Sequence, residues 1–176
     1  MPSPLGMLSI AISGDGSVRN IELPLHEWGT GQRNEGGGSS PCAPTHGKSS
    51  QNKSLPRPTP EFENAVHQLT DYFHDPGWGF DLPIAPGGTP FQQRVWQALR
   101  SIPPGKTVSY SMLAVQLGTG ARAVGNACRK NPIPIIIPCH RVVGIRDSGG
   151  FMGARVGKPL AIKQWLLRHE CLSPNR

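Results

Sequence analysis

The stretch Ile133-Pro134-Ile135-Ile136-Ile137-Pro138-Cys139-His140-Arg141-Val142 limits the fold more than any other part of the chain. Its apolar run demands burial, while Pro134 and Pro138 break the hydrogen-bond ladder of a central helix, so it predicts a buried, irregular strand or loop. That segment delivers a thiol and an imidazole, Cys139 and His140, to one place, with the cation of Arg141 next in line. Buried thiols are mostly inert core residues; a titratable base and a cation beside one are what turn it into a nucleophile.

The surroundings of that segment are strongly basic. Residues 1–87 hold five Lys/Arg against nine Asp/Glu, a net −4, whereas residues 88–176 hold thirteen against two, a net +11. Two halves so different in charge are expected to do different work, and the second attracts polyanions such as nucleic acid. A basic surface with no partner is the plainer alternative. The 176 residues suit one or two small domains. Four cysteines, Cys42, Cys128, Cys139 and Cys171, lie far apart with no Cys-x-x-Cys, which argues against a disulfide framework and a zinc ribbon; no metal or cofactor is expected. No apolar stretch of membrane length and no leader pattern at Met1 are present, so the expectation is a soluble, intracellular protein.

The chain opens with two alternating runs, residues 7–13 and 18–23, around Gly14-Asp15-Gly16, which predicts a β-hairpin. Residues 29–60 collapse into Gly, Ser, Pro, Asn, Gln and Lys and read as a flexible loop or linker in which Cys42 is incidental. From Glu61 to Phe73 the pattern becomes helical, with Phe62, Ala65, Val66, Leu69, Tyr72 and Phe73 on the inner side. Gly87-Gly88 marks a domain junction.

Beyond it, Thr89-Pro90-Phe91-Gln92 combines an N-cap, a proline at the first helical position and a capping-box glutamine. Phe91, Val95, Trp96 and Leu99 give that helix a buried stripe. Ser109 caps a second helix that Gly118 stops, and after Thr119-Gly120 a third runs from Ala121 to Lys130. Two helices across a short glycine turn, the latter basic, follow the pattern of a helix-turn-helix, although such a hairpin also serves for packing alone. In that helix Ala121, Ala123, Gly125 and Ala127 keep the backbone slender enough to press into a groove, while Arg122, Arg129 and Lys130 supply charge. A last helix opens at Pro159, its inner face carrying Ile162, Trp165, Leu166 and His169. Glu170 is at the wrong end for the helix dipole, which favours its reaching inward to His140 over a surface position.

With these residues in view, the second half resembles the O6-alkylguanine-DNA alkyltransferases, also called methylated-DNA-protein-cysteine methyltransferases. The resemblance rests on residues 88–92, Val95-Trp96, Val108-Ser109-Tyr110, residues 121–125, Asn131-Pro132, residues 137–144 and residues 165–170; the first half is similar in outline only. It implies an α+β protein: an N-terminal α/β domain over 1–87 with a short antiparallel sheet, RNase H-like, and a mostly helical domain over 88–176 with a helix-turn-helix. It also implies direct-reversal repair. The protein would bind duplex DNA containing O6-alkylguanine, in the minor groove and as a monomer, with cooperative binding along DNA left open. It would flip out O6-methylguanine, with O4-methylthymine a further option, and move the alkyl group irreversibly onto itself. The implied location is the cytoplasm, at the nucleoid in a bacterium.

Carried onto this sequence, the resemblance makes Cys139 the acceptor, His140 its base through a bridging water, and Glu170 the group that fixes the imidazole. Tyr110 helps rotate the nucleotide and donates a proton to the leaving guanine, Arg122 fills the vacated stack, and Asn131 ties the third helix to the cysteine loop. Core packing, a phosphate contact and a helix C-cap are the respective plainer roles of Tyr110, Arg122 and Asn131. The implied pocket comprises Pro134, Val142, Ser148, Phe151 and Met152, with Phe151 or Met152 standing where many members carry a lid tyrosine. Three rivals remain: a binder of damaged guanine without transfer, which typically lacks the cysteine present here; a helix-turn-helix regulator; and, weakest, a metal site at Cys139 and His140.

Overall fold

The computed structural model describes residues 1–25 and 58–171. Cys42 and nearly all of the 29–60 segment lie outside them. The order of elements is β1 (Pro2–Ser3), β2 (Gly6–Met7), β3 (Ser9–Ile12), β4 (Val18–Glu22), α1 (Pro60–His74), α2 (Pro90–Arg100), β5 (Val108–Ser109), α3 (Tyr110–Gln116), α4 (Ala121–Arg129), β6 (Val142–Val143) and α5 (Lys158–Cys171). The result is a mixed α+β protein.

The expected hairpin forms from β3 and β4, antiparallel, with an irregularity between Ala11 and Ile12. β1 and β2 make a second small antiparallel ribbon. Ribbons of two strands do not by themselves amount to an RNase H-like sheet. α1 starts where Thr59 accepts from the Phe62 amide and Pro60 takes the first turn, and it buries Ala65, Leu69 and Tyr72. The first half then touches the second at a telling place: the Ile21 amide donates to Pro132 O at 2.9 Å, immediately after α4. Buried side chains from both halves, from Leu5 to Leu166, make one continuous core.

α2 begins with the full capping box, Thr89 and Gln92 bonding each other's backbone amides. Its Trp96 donates through Nε1 to Ala127 O at 2.9 Å, which pins α4 from behind. α3 is capped by Ser109 and terminates at Gly118, whose φ of 63° is the left-handed conformation that glycine adopts without cost. α4 follows at once from Gly120.

The apolar run is buried and irregular, as the sequence demands. It folds into a turn closed by the Ile137 amide on Ile133 O at 2.9 Å. Ile135 holds φ 77°, a conformation that costs a β-branched residue about 1–3 kcal/mol and persists only where the surroundings impose it. Cys139–Arg141 then form a 3-10 turn, and only afterwards does β6 pair, in parallel, with β5. Successive side chains on a 3-10 turn diverge by about 120°, so Cys139 and His140 point apart without the extended backbone expected from sequence.

Candidate functional site

Cys139 is 5% exposed and sits at the base of a cavity of about 630 Å³. Burial pushes its thiol up, away from ionisation; the amide of Asn131 and the charge of Lys163 pull it back down. Asn131 follows directly on α4 and works in two directions. Its Nδ2 donates to Ile137 O at 2.8 Å and to Cys139 Sγ at 3.2 Å. Its Oδ1 accepts from the Ile133 amide at 3.0 Å. One side chain thus fastens the end of α4 to both ends of the buried turn and to the thiol.

His140 is fully buried. Its Nε2 lies 2.8 Å from Glu170 Oε1. A carboxylate only accepts, so Nε2 carries the proton and Nδ1 is the basic nitrogen. Nδ1 is buried and has no hydrogen-bond partner among the described residues. Burial lowers the proton affinity of the imidazole; the bond and charge of Glu170 raise it, and Arg141 and Lys163 lower it again. The ring is therefore neutral at rest, ready to accept a proton at Nδ1.

Glu170 is held by donors from several elements. Tyr72 OH donates at 2.9 Å from α1, the Gly105 amide at 3.2 Å, and Arg141 through Nε at 3.0 Å and through a second nitrogen at 2.8 Å. Arg141 also donates to Ile102 O. Burial alone would raise the carboxyl's pKa, but the bonds from His140 and Arg141 outweigh it and hold the group well below the usual carboxylate range. Arg141 is thus spent on Glu170. The cation read from sequence as the thiol's activator belongs to the carboxylate, and the positive charge that acts on Cys139 is Lys163.

Lys163 is completely buried on α5. Its Nζ donates to Val142 O at 2.6 Å and to Gly150 O at 3.0 Å and lies 5.7 Å from the centre of the Tyr110 ring. Burial brings its pKa down to about 8, while Cys139, Cys128 and Asp147 resist that fall. Sequence reading passed over it, although the signal existed: Lys163 and Glu170 are seven apart, two helical turns, so an inward Glu170 turns Lys163 inward as well.

Tyr110 opens α3 and donates to Gly150 O at 3.2 Å, its phenol pushed up by burial first and by Cys128, Cys139 and Asp147 after it. Ala121, Arg122, Gly125 and the buried Cys128 of α4 line the same cavity. Ala123 and Lys130 line an adjoining groove with Thr89 and Phe91, and Arg129 borders both. Arg122, Arg129 and Lys130 are exposed.

The far wall is the loop from Asp147 to Arg155. Phe151 and Ala154 exchange backbone bonds of 2.9 Å across a tight turn in which Met152 and Gly153 have φ of 51° and 87°. Ser148, Phe151 and Met152 all line the cavity. Phe151 is 4% exposed and anchors the loop, whereas Met152 stands half-buried at its tip. Pro134 and Val142, expected in the pocket wall, are buried behind it and do not line it. The isoleucine turn uses Pro134, and Val142 pairs with β5 while its carbonyl receives Lys163. Among the described residues, no group of three or more His, Cys, Asp and Glu is placed to hold a metal ion, and no helix is long and apolar enough to cross a membrane.

Residues 90–172 match the profile of the 6-O-methylguanine DNA methyltransferase DNA-binding domain. The chain is 42% identical over 118 residues to the constitutive methylated-DNA-protein-cysteine methyltransferase of Bacillus subtilis, covering 65% of this chain and 69% of that protein. To the methylated-DNA-protein-cysteine methyltransferase of Salmonella typhimurium it is 51% identical over 106 residues, covering 58% of this chain and 60% of that one. In three dimensions it is similar to the O6-methylguanine methyltransferase of Mycobacterium tuberculosis, with a TM-score of 0.69, 36% identity and coverage of 99% and 92%. A structure of the same mycobacterial protein in complex with DNA matches with a TM-score of 0.67 at 33% identity, again covering 99% and 92%.

Proposed function

The chain belongs to the 6-O-methylguanine DNA methyltransferase family, and from that premise we propose that it repairs alkylated DNA by moving the alkyl group from guanine O6 to Cys139 in a single turnover. The observation that carries this reading is a buried thiol at the base of a cavity flanked by α4, backed by a neutral imidazole whose far nitrogen is fixed by an ionised glutamate.

A thiol whose burial disfavours ionisation needs help at neutral pH. His140 Nδ1, the orphaned acceptor, takes the proton through one bridging water, and Glu170 stabilises the imidazolium that forms. The Sγ lone pair attacks the alkyl carbon. The carbon–oxygen bond breaks, its electrons go to the guanine, Tyr110 OH supplies the proton to the departing base, and the proton held by the imidazolium returns through water to restore the phenol. The product is a stable thioether, so each molecule acts once.

The alkylated base reaches Sγ only by leaving the stack, which assigns the cavity to the flipped nucleotide. In this reading 88–176 holds DNA and performs transfer while 1–87 supports it. α4 approaches the minor groove along its small face of Ala121, Ala123 and Gly125. Arg122 occupies the vacated stack, Arg129 and Lys130 face phosphates, and Met152, with Ser148 and Phe151 behind it, covers the base. The protein works in the cytoplasm, on DNA.

Mixing the protein with an O6-methylguanine duplex and mapping the digest by mass spectrometry should find one added methyl, on Cys139. A methyl on another residue, or repair in excess of protein, would overturn the mechanism. Cys139→Ser should bind the duplex as before and transfer nothing.

A further inference from the structure

The relay contains a member that neither the family resemblance nor the second half supplies: the hydroxyl of Tyr72, on α1. We propose that Tyr72 is a positioning residue for alkyl transfer, its O–H sharing Glu170 Oε1 with His140 and so setting how strongly the carboxylate grips the imidazole. This rests on the reading of His140 as the base of Cys139.

Tyr72 is 0% exposed, and its hydroxyl finds its partner in the carboxylate at 2.9 Å. The oxygen it chooses is the one 2.8 Å from His140 Nε2. Arg141 donates to the same oxygen at 2.8 Å, so three groups compete for its charge. While Tyr72 O–H is present, Glu170 accepts less strongly from His140, so the imidazole is a weaker base that stays unprotonated, and free to accept at Nδ1, down to lower pH. The site is rigid enough for this to matter. Tyr72 is clamped by Phe73, Phe80 and His169, with ring centres 5.4–5.5 Å apart, and His169 Nε2 returns to Tyr72 O at 3.0 Å. That clamp joins α1 to α5, the helix that carries Glu170 in its last turn. The other charged groups felt by His140 are Arg141 from its own turn and Lys163 from α5, both opposing protonation. Glu170 faces His140, Arg141 and Tyr72.

The test is Tyr72→Phe, which removes one oxygen and keeps the ring, compared with Leu69→Ala, which loosens the packing of α1 but leaves the rings around Tyr72 and the donors to Glu170 in place. Methyl transfer from an O6-methylguanine duplex is measured against pH, and His140 is titrated by NMR in each protein without DNA. With Tyr72→Phe the carboxylate grips His140 harder, so the imidazole titration and the acid limb of the rate profile should both move up by about half a pH unit or more, roughly a threefold loss of rate on that limb. Leu69→Ala should lower the melting temperature and leave both where they were. An unmoved His140 titration in Tyr72→Phe, or an equal movement in Leu69→Ala, overturns the proposal. If wild-type protein fails to transfer methyl, the functional reading falls by itself, and the NMR titration still decides whether Tyr72 tunes His140.

Discussion

Glu170 is the residue on which the site turns, and its charge state can be followed from outside. In the fold its carboxyl stays ionised far below the 4.5 of an ordinary glutamate. The stability it contributes is therefore complete above the unfolded value and is lost as pH falls through the lower folded one. His140 acts in the same direction: its folded pKa lies below 6.5, so on acidification the unfolded chain binds that proton first. Urea unfolding should accordingly show stability declining from about pH 6.5 downward and more steeply below about pH 4.5. Glu170→Gln should remove the steeper part and cost about 3–5 kcal/mol at neutral pH, because Arg141 is left buried without its counter-charge. An unchanged slope below the ordinary glutamate range would show that Glu170 titrates normally. His140 and Glu170 were legible in sequence because each broke a local rule, an imidazole beside a thiol and an acid at the wrong helix end. Tyr72 was not, since a tyrosine on the apolar face of α1 obeys every rule of core packing and shows its hydroxyl's purpose only through a partner 98 positions away.

Among the elements, helices were read more truly than the segments between them. Caps and breakers are local chemistry, so Thr89, Ser109 and Gly118 marked α2 and α3 from sequence alone. The 3-10 turn at Cys139 and the pairing of β5 with β6 were illegible for the opposite reason: two residues of parallel strand carry no periodicity, and only the distant partner creates them. The loop between β6 and α5 is the element whose chemistry is least set by pattern and most by fit. Gly149 has φ 67°, and a Cβ there would come within 2.8 Å of Tyr110 Cε2. Gly149→Ala therefore cannot be accommodated in place; either the phenol moves from the cavity or the loop moves from the phenol. The expected outcome is at least about tenfold slower methyl transfer, a loss equivalent to about 1.4 kcal/mol of misplacement, with little change in affinity for undamaged duplex. Gly157, with φ 79° and open space around its Cβ position, is the control for strain without contact. Equal slowing by Gly157→Ala would assign the effect to loop flexibility instead.

At the scale of the molecule, the charge asymmetry separates into two populations once the fold is known. Of the thirteen cations of residues 88–176, Arg141 and Lys163 are buried and committed to Glu170 and to backbone carbonyls. They neutralise no phosphate. Arg122 and Arg129 on α4, Lys130 immediately after it, and Arg146 and Arg155 on the loop opposite are exposed at the cavity or in the grooves beside it. Affinity for duplex DNA should then be governed by this outer set. If about four phosphates are neutralised, raising salt from about 50 to 200 mM should weaken binding on the order of a hundredfold. Lys130→Ala should reduce the slope of log affinity against log salt by about one and weaken damaged and undamaged duplex alike. Arg122→Ala separates the two roles open to that residue. As a phosphate contact it would flatten the slope in the same way and spare transfer; as the side chain that fills the vacated stack it should leave the slope nearly intact and slow transfer. Stopped-flow transfer rates together with fluorescence anisotropy over the same salt series distinguish these, and a flattened slope with an unchanged rate would remove Arg122 from the flipping step.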